Sequence, residues 1–411
     1  MIRDFVGQPE IMRHLTRGLA LKLLDDGVNF DFIAGNANEA MVPGWQLRND
    51  LQHLTGDQVP FAYVREERKK GGHKERITGD ESPMIEKGDR ALVVETDDVN
   101  FLPKVLSSAE ALRGRGYQVD SVATILSPDD QVRNTLSRNG LTLISYLNAE
   151  QLNALLERKI DELPLERPEF SDEIMLPEEI TRMIINAGAL EIRDLAGGEE
   201  PFLYSSGLWG PGYAMIKGLV GQPDVFNQLV WQLALKLADR GDIDFIIGNV
   251  TGGVIPGWQL RNNLEVLQGR EVPYVYAEGT RLLDSGLVEG RIVGDKNNPL
   301  IRRGDRGLVV EELVNTAGTT TGSAIHARER GYQVGSAATI FNYVNPIALQ
   351  RLQEYGLDLT HLITLSEVLD VAERERLFEP RAVQDYRSFI QDPRGYLEKW
   401  ELIPVDRGGT K

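Results

Sequence analysis

Apolar and polar positions follow two different periods along the second half of the chain, and each period predicts a different kind of element. Apolar residues recur at helical spacing in Asp224–Asp239 and Ile255–Leu267, which predicts two helices. Short apolar runs rich in β-branched and aromatic residues predict strands at 244–248, 272–277, 307–310, 336–341 and 362–365. Strands that alternate with helices favour an α/β fold with a mostly parallel, doubly wound sheet. Ligands of such a sheet bind at the carboxyl ends of its strands.

The first half of the chain repeats this pattern. Pro43-Gly-Trp-Gln-Leu-Arg-Asn49 returns unchanged at Pro256–Asn262, and Arg115-Gly-Tyr-Gln-Val119 returns at Arg330–Val334. The period is about 214 residues, far longer than a solenoid repeat, so it indicates a duplicated domain. We call residues 1–150 repeat 1 and residues 177–375 repeat 2.

The segments outside the two repeats have their own patterns. Residues 151–176 are predicted to be a linker, with a helix at Leu155–Leu163 and a stretch rich in proline and acid at Pro164–Phe170. Repeat 2 is predicted to begin with a helix at Pro177–Asn186. Residues 376–411 are predicted to be a helical C-terminal extension, with two short amphipathic helices within Arg381–Leu402.

Composition narrows the class of protein. The chain has 411 residues, which is ample for two or three domains. A net charge of −17 argues against binding to nucleic acid or to an anionic membrane surface, and the lack of cysteine excludes disulfides and thiolate metal sites. The histidines lack paired metal-ligand spacing, so no protein metal site is predicted. Because long apolar runs and a signal-peptide pattern are absent, we expect a cytoplasmic protein.

One stretch combines acids, glycine and threonines in an order that indicates a site for a phosphorylated polyol. An apolar run leads into Glu311 and Glu312, and the small, hydroxyl-rich segment Asn315–Thr320 follows before a predicted helix. The first N–H groups of a helix are unpaired donors, glycine lets the backbone approach a ligand, and threonine hydroxyls add donors. Carboxylates accept hydrogen bonds from neighbouring hydroxyls. A sugar phosphate is the implied ligand; an ordinary strand-to-helix connection is the alternative.

Residues Val309–Thr320 resemble the phosphoribosyl pyrophosphate (PRPP) signature of type I phosphoribosyltransferases, and most of all that of orotate phosphoribosyltransferase. The family usually has an aspartate in the acid pair, where this chain has two glutamates. The resemblance covers both repeats and implies two tandem type I phosphoribosyltransferase domains. It also implies transfer of ribose 5-phosphate from PRPP to a nucleobase, a step of pyrimidine biosynthesis when the base is orotate. Mg²⁺ would be bound through the diphosphate of PRPP.

The resemblance assigns roles in repeat 2. Glu311 and Glu312 would hold the ribose hydroxyls. A hood over the base is expected in 177–214, where Phe202 and Tyr204 are candidates to contact the base. Two loops would bind the phosphates of PRPP: the phosphate loop Asn315, Thr316, Ala317, Gly318, Thr319 and Thr320, and the diphosphate loop 248–253 with Thr251, Gly252 and Gly253.

Repeat 1 departs from this pattern at both loops. It has Gly35-Asn-Ala-Asn-Glu-Ala40 where repeat 2 has Gly248-Asn-Val-Thr-Gly-Gly253. Two glycines are lost, and Glu39 would place a negative charge against a diphosphate. The segment Val94–Pro103 also lacks the Thr-x-Gly-Thr pattern of the phosphate loop. We therefore expect repeat 1 not to bind PRPP.

The opposite holds for the basic loop, 63–76. In repeat 1 the residues Arg65, Lys69, Lys70 and His73 resemble the family's catalytic loop, which closes over the pyrophosphate of the neighbouring subunit. In repeat 2 two leucines, at 282 and 283, replace the two lysines. The alternative is a solvated basic loop without a role in catalysis.

These complementary losses lead to a hypothesis of one composite active site. Repeat 2 would supply the PRPP loops and the hood, and repeat 1 would supply the basic loop, so that the chain is an intrachain pseudo-dimer. Further oligomerisation stays open, as does which loop lysine acts.

The base also stays open. The lysine and arginine by which the orotate enzymes typically hold their base are not found, since Ala196 stands in the hood and Phe341-Asn342-Tyr343 ends the strand. Either another basic residue such as Lys217 compensates or the base is not orotate. A PRPP-binding regulator without turnover and a structural pseudoenzyme are the alternatives to an enzyme.

Overall fold

The computed structural model describes residues 2–37, 39–65, 76–96, 100–158, 163, 165–204, 207–283, 286–296 and 298–405. Repeat 1 contains one six-stranded sheet. Its strands are β1 (Phe32–Asn36), β2 (Phe61–Val64), β3 (Ile77–Thr78), β4 (Arg90–Val94), β5 (Gln118–Leu126) and β6 (Thr142–Leu147). Its helices are α1 (Pro9–Asp25), α2 (Met41–Thr55), α3 (Phe101–Arg115), α4 (Asp130–Arg138) and α5 (Ala149–Leu156).

The hood, 177–214, consists of a helix and two small ribbons. Its elements are α6 (Pro177–Asn186), β7 (Leu190–Ile192), β8 (Phe202–Leu203), β9 (Trp209–Gly210) and β10 (Gly212–Ala214). β10 pairs with β7 and β8 pairs with β9, both antiparallel.

The rest of repeat 2 again contains a six-stranded sheet. The strands of this part of the chain are β11 (Phe245–Asn249), β12 (Tyr274–Glu278), β13 (Arg281–Leu283), β14 (Gly286–Val288), β15 (Arg291–Val293), β16 (Arg306–Val314), β17 (Gln333–Asn342) and β18 (Asp358–Thr364). β13 and β14 form a separate hairpin, and the other six strands form the sheet. The helices of this part are α7 (Pro223–Leu237), α8 (Val254–Gln268), α9 (Gly318–Glu329), α10 (Pro346–Glu354) and α11 (Leu365–Glu375). The C-terminal extension adds α12 (Pro380–Gln391) and α13 (Pro393–Lys399).

The two large sheets have the same topology. The order is β3-β2-β1-β4-β5-β6 in repeat 1 and β15-β12-β11-β16-β17-β18 in repeat 2. In each sheet, only the strand at the start of this order, β3 or β15, is antiparallel to its neighbour. Along β1, Phe32 and Ala34 belong to one apolar cluster while Ile33 belongs to another, as a strand covered on both faces requires. The predicted fold class, two doubly wound and mostly parallel domains, is confirmed.

The predicted elements of repeat 2 are present, with shifted bounds. The helix expected at Leu155–Leu163 overlaps α5 only at Leu155 and Leu156, where α5 ends, and residues 159–162 of the expected helix lie outside the described residues. The start of α5 is fixed by Asn148, whose side chain accepts from the Gln151 N–H while Gln151 Oε1 accepts from the Asn148 N–H, both at 2.8 Å. This capping box pairs the backbone N–H groups of Asn148 and Gln151, which fixes the start of the helix at Ala149 and not at Leu155.

Equivalent residues of the two repeats exchange hydrogen bonds where the repeats meet. Trp45 Nε1 on α2 donates to Gln259 Oε1 at 3.0 Å, and Trp258 Nε1 on α8 donates to Gln46 Oε1 at 2.9 Å. Both tryptophans have no exposed surface and belong to one apolar cluster that runs through both repeats. The two tryptophans therefore lie in the apolar core at the junction of the repeats.

A second reciprocal pair involves the repeated Val-Gly-Gln-Pro segments. Asn298 Nδ2 of repeat 2 donates to Gly7 O at 2.6 Å, and Ser82 Oγ of repeat 1 donates to Gly221 O at 2.6 Å. Because each contact has its counterpart, the junction is approximately two-fold symmetric. The carboxyl end of β2 in repeat 1 is thereby brought towards the hood and repeat 2.

Candidate functional site

The acid pair lies on β16, and its two carboxylates have different surroundings. Successive residues of a strand point to opposite faces, so Glu311 and Glu312 diverge. Glu311 is 6% exposed, and its Oε1 accepts from Asn249 Nδ2 at 2.6 Å. Asn249 Oδ1 in turn accepts from the hydroxyl of Ser323 on α9. A buried polar network therefore connects β11, β16 and α9.

Burial and a neighbouring charge act together on Glu311. Desolvation by burial, followed by the negative charge of Glu312, raises the pKa of the Glu311 carboxyl well above its usual range. A carboxyl group in this state binds a proton more readily in the folded than in the unfolded chain. Hydroxyl donors or a cation bound beside Glu311 would therefore favour the ionised form of its carboxyl group.

This pKa shift predicts how stability changes with pH. Because the folded pKa is raised, the free energy of unfolding should fall as pH rises from the ordinary carboxyl pKa through the raised pKa of Glu311. Glu311→Gln keeps an acceptor for Asn249 but cannot ionise. We expect the variant to be increasingly more stable than the wild type as pH rises, by thermal unfolding across the range. A difference independent of pH would contradict the shift.

The phosphate loop connects β16 to α9 and is held from α10. Ala317, the residue before α9, has a φ of 55°, a left-handed conformation that is strained for a residue with a side chain. Asn345 Nδ2 donates to Asn315 Oδ1 at 3.0 Å, and Arg351 Nη1 donates to Thr316 O at 3.1 Å. In a trans peptide the C=O and the N–H point in opposite directions. The bond from Arg351 therefore fixes the direction of the Ala317 N–H.

Removing this support should weaken binding at the loop. We expect Arg351→Gln to raise the KM for PRPP by roughly tenfold with little change in kcat, because a bond from a charged donor to a backbone carbonyl contributes on the order of 1–2 kcal/mol. Steady-state kinetics with PRPP as the varied substrate measures this. Gln350→Ala, an exposed position on the same helix, is the matched control. A loss confined to kcat would contradict the positioning role.

The threonines of the phosphate loop have distinct surroundings. The Thr319 hydroxyl bonds to Glu311, which links the loop to the acid pair. Thr320 is 1% exposed, and within the described ranges no hydrogen-bond partner is found for its hydroxyl. The loop thus has a polar group ready for a ligand.

The diphosphate loop packs directly on the acid pair. A methyl group added at Gly252 would overlap the Glu312 carboxylate, and one added at Gly253 would overlap the carbonyl oxygen of Val310. The Val250–Thr251 peptide bond is cis. The structure therefore brings together the acid pair, the phosphate loop and the diphosphate loop around the carboxyl ends of β11 and β16.

An internal ion pair occupies the equivalent place in repeat 1. Lys104 Nζ on α3 donates to Glu39 Oε2 at 2.5 Å, and these side chains are only 12% and 11% exposed. Asn36 Nδ2 donates to Ser108 Oγ at 3.1 Å, the counterpart of the bond between Asn249 and Ser323. The bond between strand and helix is thus retained, while a salt bridge from α3 holds Glu39 in the place of the diphosphate loop. This arrangement supports the expectation that repeat 1 does not bind PRPP.

This ion pair should contribute to stability and not to turnover. We expect Glu39→Gln to lower the free energy of unfolding by about 1–3 kcal/mol, because one charge of a largely buried pair loses its opposite. Denaturant unfolding measures this loss. Pyrophosphate release from PRPP should remain at the wild-type rate. A fall in turnover greater than the fall in folded fraction would place Glu39 in the active site.

Arg65 lies at the end of β2, where repeat 1 faces repeat 2. Its Nη2 donates to Thr78 Oγ1 at 3.1 Å, and its guanidinium is 5.6 Å from the ring centre of Tyr63. Lys69, Lys70 and His73, predicted to be catalytic, lie in 66–75, outside the described residues. Arg65 is therefore the one predicted basic-loop residue whose surroundings can be stated.

Charges from both repeats shift the pKa values of two tyrosines. Burial raises the pKa of Tyr63 in repeat 1, the positive charge of Arg65 lowers it, and the negative charge of Glu312 in repeat 2 raises it. Tyr213 on β10 of the hood has the same pattern, with burial as the largest cause. Arg65 and Glu312 therefore act on the same two side chains.

The counterpart of the basic loop in repeat 2 is folded against its own repeat. The hairpin β13–β14 packs on α9, where a Cβ at Gly318 would lie 2.8 Å from Leu282 O and one at Gly322 would lie 2.8 Å from the Arg281 backbone. His326 on α9 is hydrogen-bonded to Val288 O at 2.9 Å. This hairpin rests on the helix of the phosphate loop.

The two hood aromatics predicted to contact a base are packed within the hood. The Tyr204 hydroxyl donates to Gly212 O at 2.5 Å, and its ring lies 5.7 Å from Phe389 of α12. The guanidinium of Arg193 lies 3.7 Å from the ring centre of Phe202. Tyr213, which the sequence reasoning missed, is the hood ring in electrostatic contact with Glu312. The alternation of small and aromatic residues along Gly212-Tyr213-Ala214 was the signal that could have indicated Tyr213 as a site residue.

The described ranges contain neither a membrane-spanning helix nor a cluster of metal ligands. No helix there is both long enough and apolar enough to cross a bilayer. No group of three or more histidine or carboxylate side chains there could hold a metal ion.

Comparisons with known proteins agree with this architecture. No family model matches the chain. An orotate phosphoribosyltransferase of Cereibacter sphaeroides is 30% identical over 219 residues, which is 53% of this chain and 88% of that protein. One from Streptococcus sanguinis is 26% identical over 229 residues, or 55% of this chain and 99% of that protein. Among solved structures, Leishmania donovani UMP synthase matches 92% of this chain and 93% of its own, with 14% identity and a TM-score of 0.41.

Both repeats have the same sheet order, and in repeat 2 a strand with the acid pair leads through the phosphate loop into a helix. The chain therefore has two tandem domains like those of type I phosphoribosyltransferases, and repeat 2 carries the site motifs. With 30% identity over most of a relative's length, the chain belongs to the orotate phosphoribosyltransferase family. The resemblance found in the sequence is confirmed.

Proposed function

We propose that the protein transfers ribose 5-phosphate from PRPP to a nucleobase and releases pyrophosphate, at one composite site per chain. The observation that carries this proposal is the convergence of Arg65 from repeat 1 and Glu312 from repeat 2 on Tyr63 and Tyr213. Arg65 belongs to repeat 1 and the acid pair belongs to repeat 2.

The proposed chemistry divides into binding and charge stabilisation. The bond from the anomeric carbon to the pyrophosphate oxygen breaks as a base nitrogen forms its bond to that carbon, and the leaving diphosphate keeps the electron pair. Preorganised cations and N–H donors stabilise the charge that develops on it. Arg65, with Lys69 or Lys70 and His73, would neutralise the leaving group, and Gly252 and Gly253 would donate backbone N–H groups.

The remaining contacts would orient PRPP. Glu311 and Glu312 would accept hydrogen bonds from the ribose hydroxyls, which favours the ionised form of Glu311. Asn315–Thr320 and the first turn of α9 would bind the 5′-phosphate through backbone N–H groups and hydroxyls. The unsatisfied hydroxyl of Thr320 fits such a ligand.

Mg²⁺ fits the donor set because the diphosphate supplies most of the hard oxygen ligands that this ion prefers. Glu311 and Glu312 are the described carboxylates at the site. When bound, the ion would neutralise diphosphate charge.

The pseudo-dimer and the single site are part of the same proposal. The reciprocal bonds of Trp45 and Trp258 support a two-fold arrangement within one chain. The ion pair between Lys104 and Glu39 and the docked hairpin β13–β14 support the loss of the second site. One PRPP per chain is the expected stoichiometry.

Orotate is the first base to test, because the named relatives are orotate phosphoribosyltransferases. The experiment is pyrophosphate release from PRPP and Mg²⁺ with a panel of bases that includes orotate. We expect turnover with one base, and its collapse in Lys69→Ala/Lys70→Ala.

The matched control is Arg302→Ala/Arg303→Ala. It removes the same charge from an exposed turn before β16, at the end of that strand remote from the acid pair. Turnover unaffected by the loop variant would contradict the composite site. PRPP binding by calorimetry without turnover of any base would favour the regulator instead.

A further inference from the structure

The strand that carries Tyr213 depends on other parts of the chain for its place. β10 has three residues and, within the described ranges, pairs with β7 alone, outside the large sheets. A two-stranded ribbon is only marginally stable by itself. Whatever packs against β10 therefore decides where Tyr213 lies.

The C-terminal extension covers one face of this strand. Successive side chains of a strand point to opposite faces, so Gly212 and Ala214 face one way and Tyr213 the other. A methyl group added at Gly212 would overlap the ring of Tyr386 on α12, and Tyr386 is 1% exposed. Its ring therefore lies on the face of the strand opposite Tyr213, whose own ring centre is 5.6 Å from that of Phe202, a candidate base contact.

Tyr386 also touches the core of repeat 2. Tyr343, just after β17, lies beside Tyr386 and bonds to the backbone of Ala214. The Tyr343 ring packs edge-on against Phe341 of β17, with ring centres 5.4 Å apart. Tyr386 is thus wedged between a rigid strand end and the hood.

Other contacts of the extension reach the rest of the hood. Val405 N donates to Gly207 O at 2.9 Å, and Trp209 Nε1 donates to Ile403 O at 3.0 Å. Arg381 Nε donates to Asp194 Oδ2 at 2.8 Å. The extension therefore holds the hood from its outer side at several places.

We propose that the C-terminal extension forms part of the base site, with Tyr386 as the positioning residue that determines where Tyr213 lies in the hood. This inference rests on the proposed phosphoribosyl transfer. It assigns base recognition, as distinct from PRPP binding, to a segment beyond the catalytic domain.

The test compares two buried tyrosines of the same aromatic cluster. Tyr386→Leu removes the ring from Gly212, whereas Tyr396→Leu makes the same truncation at a residue 3% exposed that packs against Phe389 with ring centres 5.3 Å apart. We expect Tyr386→Leu to raise the KM for the base by roughly tenfold with the KM for PRPP almost unchanged. The reason is that a displaced Tyr213 would no longer orient the base. Tyr396→Leu should lower the melting temperature without this split, and Tyr386→Phe, which keeps the ring, should restore the base KM.

A second readout needs no turnover. Amide hydrogen exchange at 212–214 should quicken in Tyr386→Leu and not in Tyr396→Leu, so the inference is decided even if the proposed reaction fails. Gly212→Ala, which disturbs the same contact from the hood side, should reproduce the KM split if Tyr386→Leu does not fold. Equal effects of the two leucine variants, or equal rises in both KM values, would overturn the proposal.

Discussion

Gly252→Ala is expected to lower kcat/KM for PRPP by about a hundredfold or more, the loss seen when preorganised donors leave a developing anion. The new methyl group would overlap the Glu312 carboxylate, so either the acid or the diphosphate loop must move. Both are assigned to the same substrate, one to its ribose and the other to its leaving group. A single added carbon therefore disturbs two parts of the site, which steady-state kinetics and PRPP calorimetry would both register.

The control for this substitution is Gly335→Ala. Gly335 lies on β17 of the same sheet, has ordinary φ, and has open space around its Cβ position. It makes the same chemical change without a clash, so activity should remain. A Gly252→Ala protein with wild-type kinetics would mean that the diphosphate of PRPP does not lie on this loop.

The parts of the site that could be predicted from sequence are those whose chemistry is local. The acid pair, the phosphate loop and α9 follow one another within about 20 residues, so their order alone indicates their purpose. Glu39 was identified because it stands where repeat 2 has a glycine. Its partner Lys104 was not, since no pattern indicates which side chain of α3 will face a loop 65 residues away.

The supports of the site could not be predicted for the same reason. Arg351 reaches Thr316 from another helix, and Tyr386 reaches Gly212 from a segment beyond the repeat. Amphipathic spacing predicted the helix that carries Tyr386 but not what its buried face would touch, and no helix was predicted around Arg351. Contacts between distant segments depend on packing, which hydrophobic periodicity does not predict.

The last prediction separates a site within one chain from a site shared between chains. Arg65→Ala in repeat 1 and Glu312→Gln in repeat 2 should each reduce turnover by about a hundredfold, because each removes charge complementarity to the reacting PRPP. Both residues act on Tyr63 and Tyr213 within one chain. An equimolar mixture of the two variant proteins should therefore stay as inactive as either alone.

If the basic loop instead served a neighbouring chain, mixing would pair an intact loop from one variant with an intact acid pair from the other, and turnover would return. Prolonged incubation of the mixture before the assay allows subunits to exchange, so slow exchange cannot imitate a negative result. Size-exclusion chromatography of mixed, differently tagged chains verifies that exchange where the protein associates. Inactivity after verified exchange, or in a protein that stays monomeric, would assign the reaction to the pair of repeats within one chain, whereas rescue would mean that the duplication did not replace association.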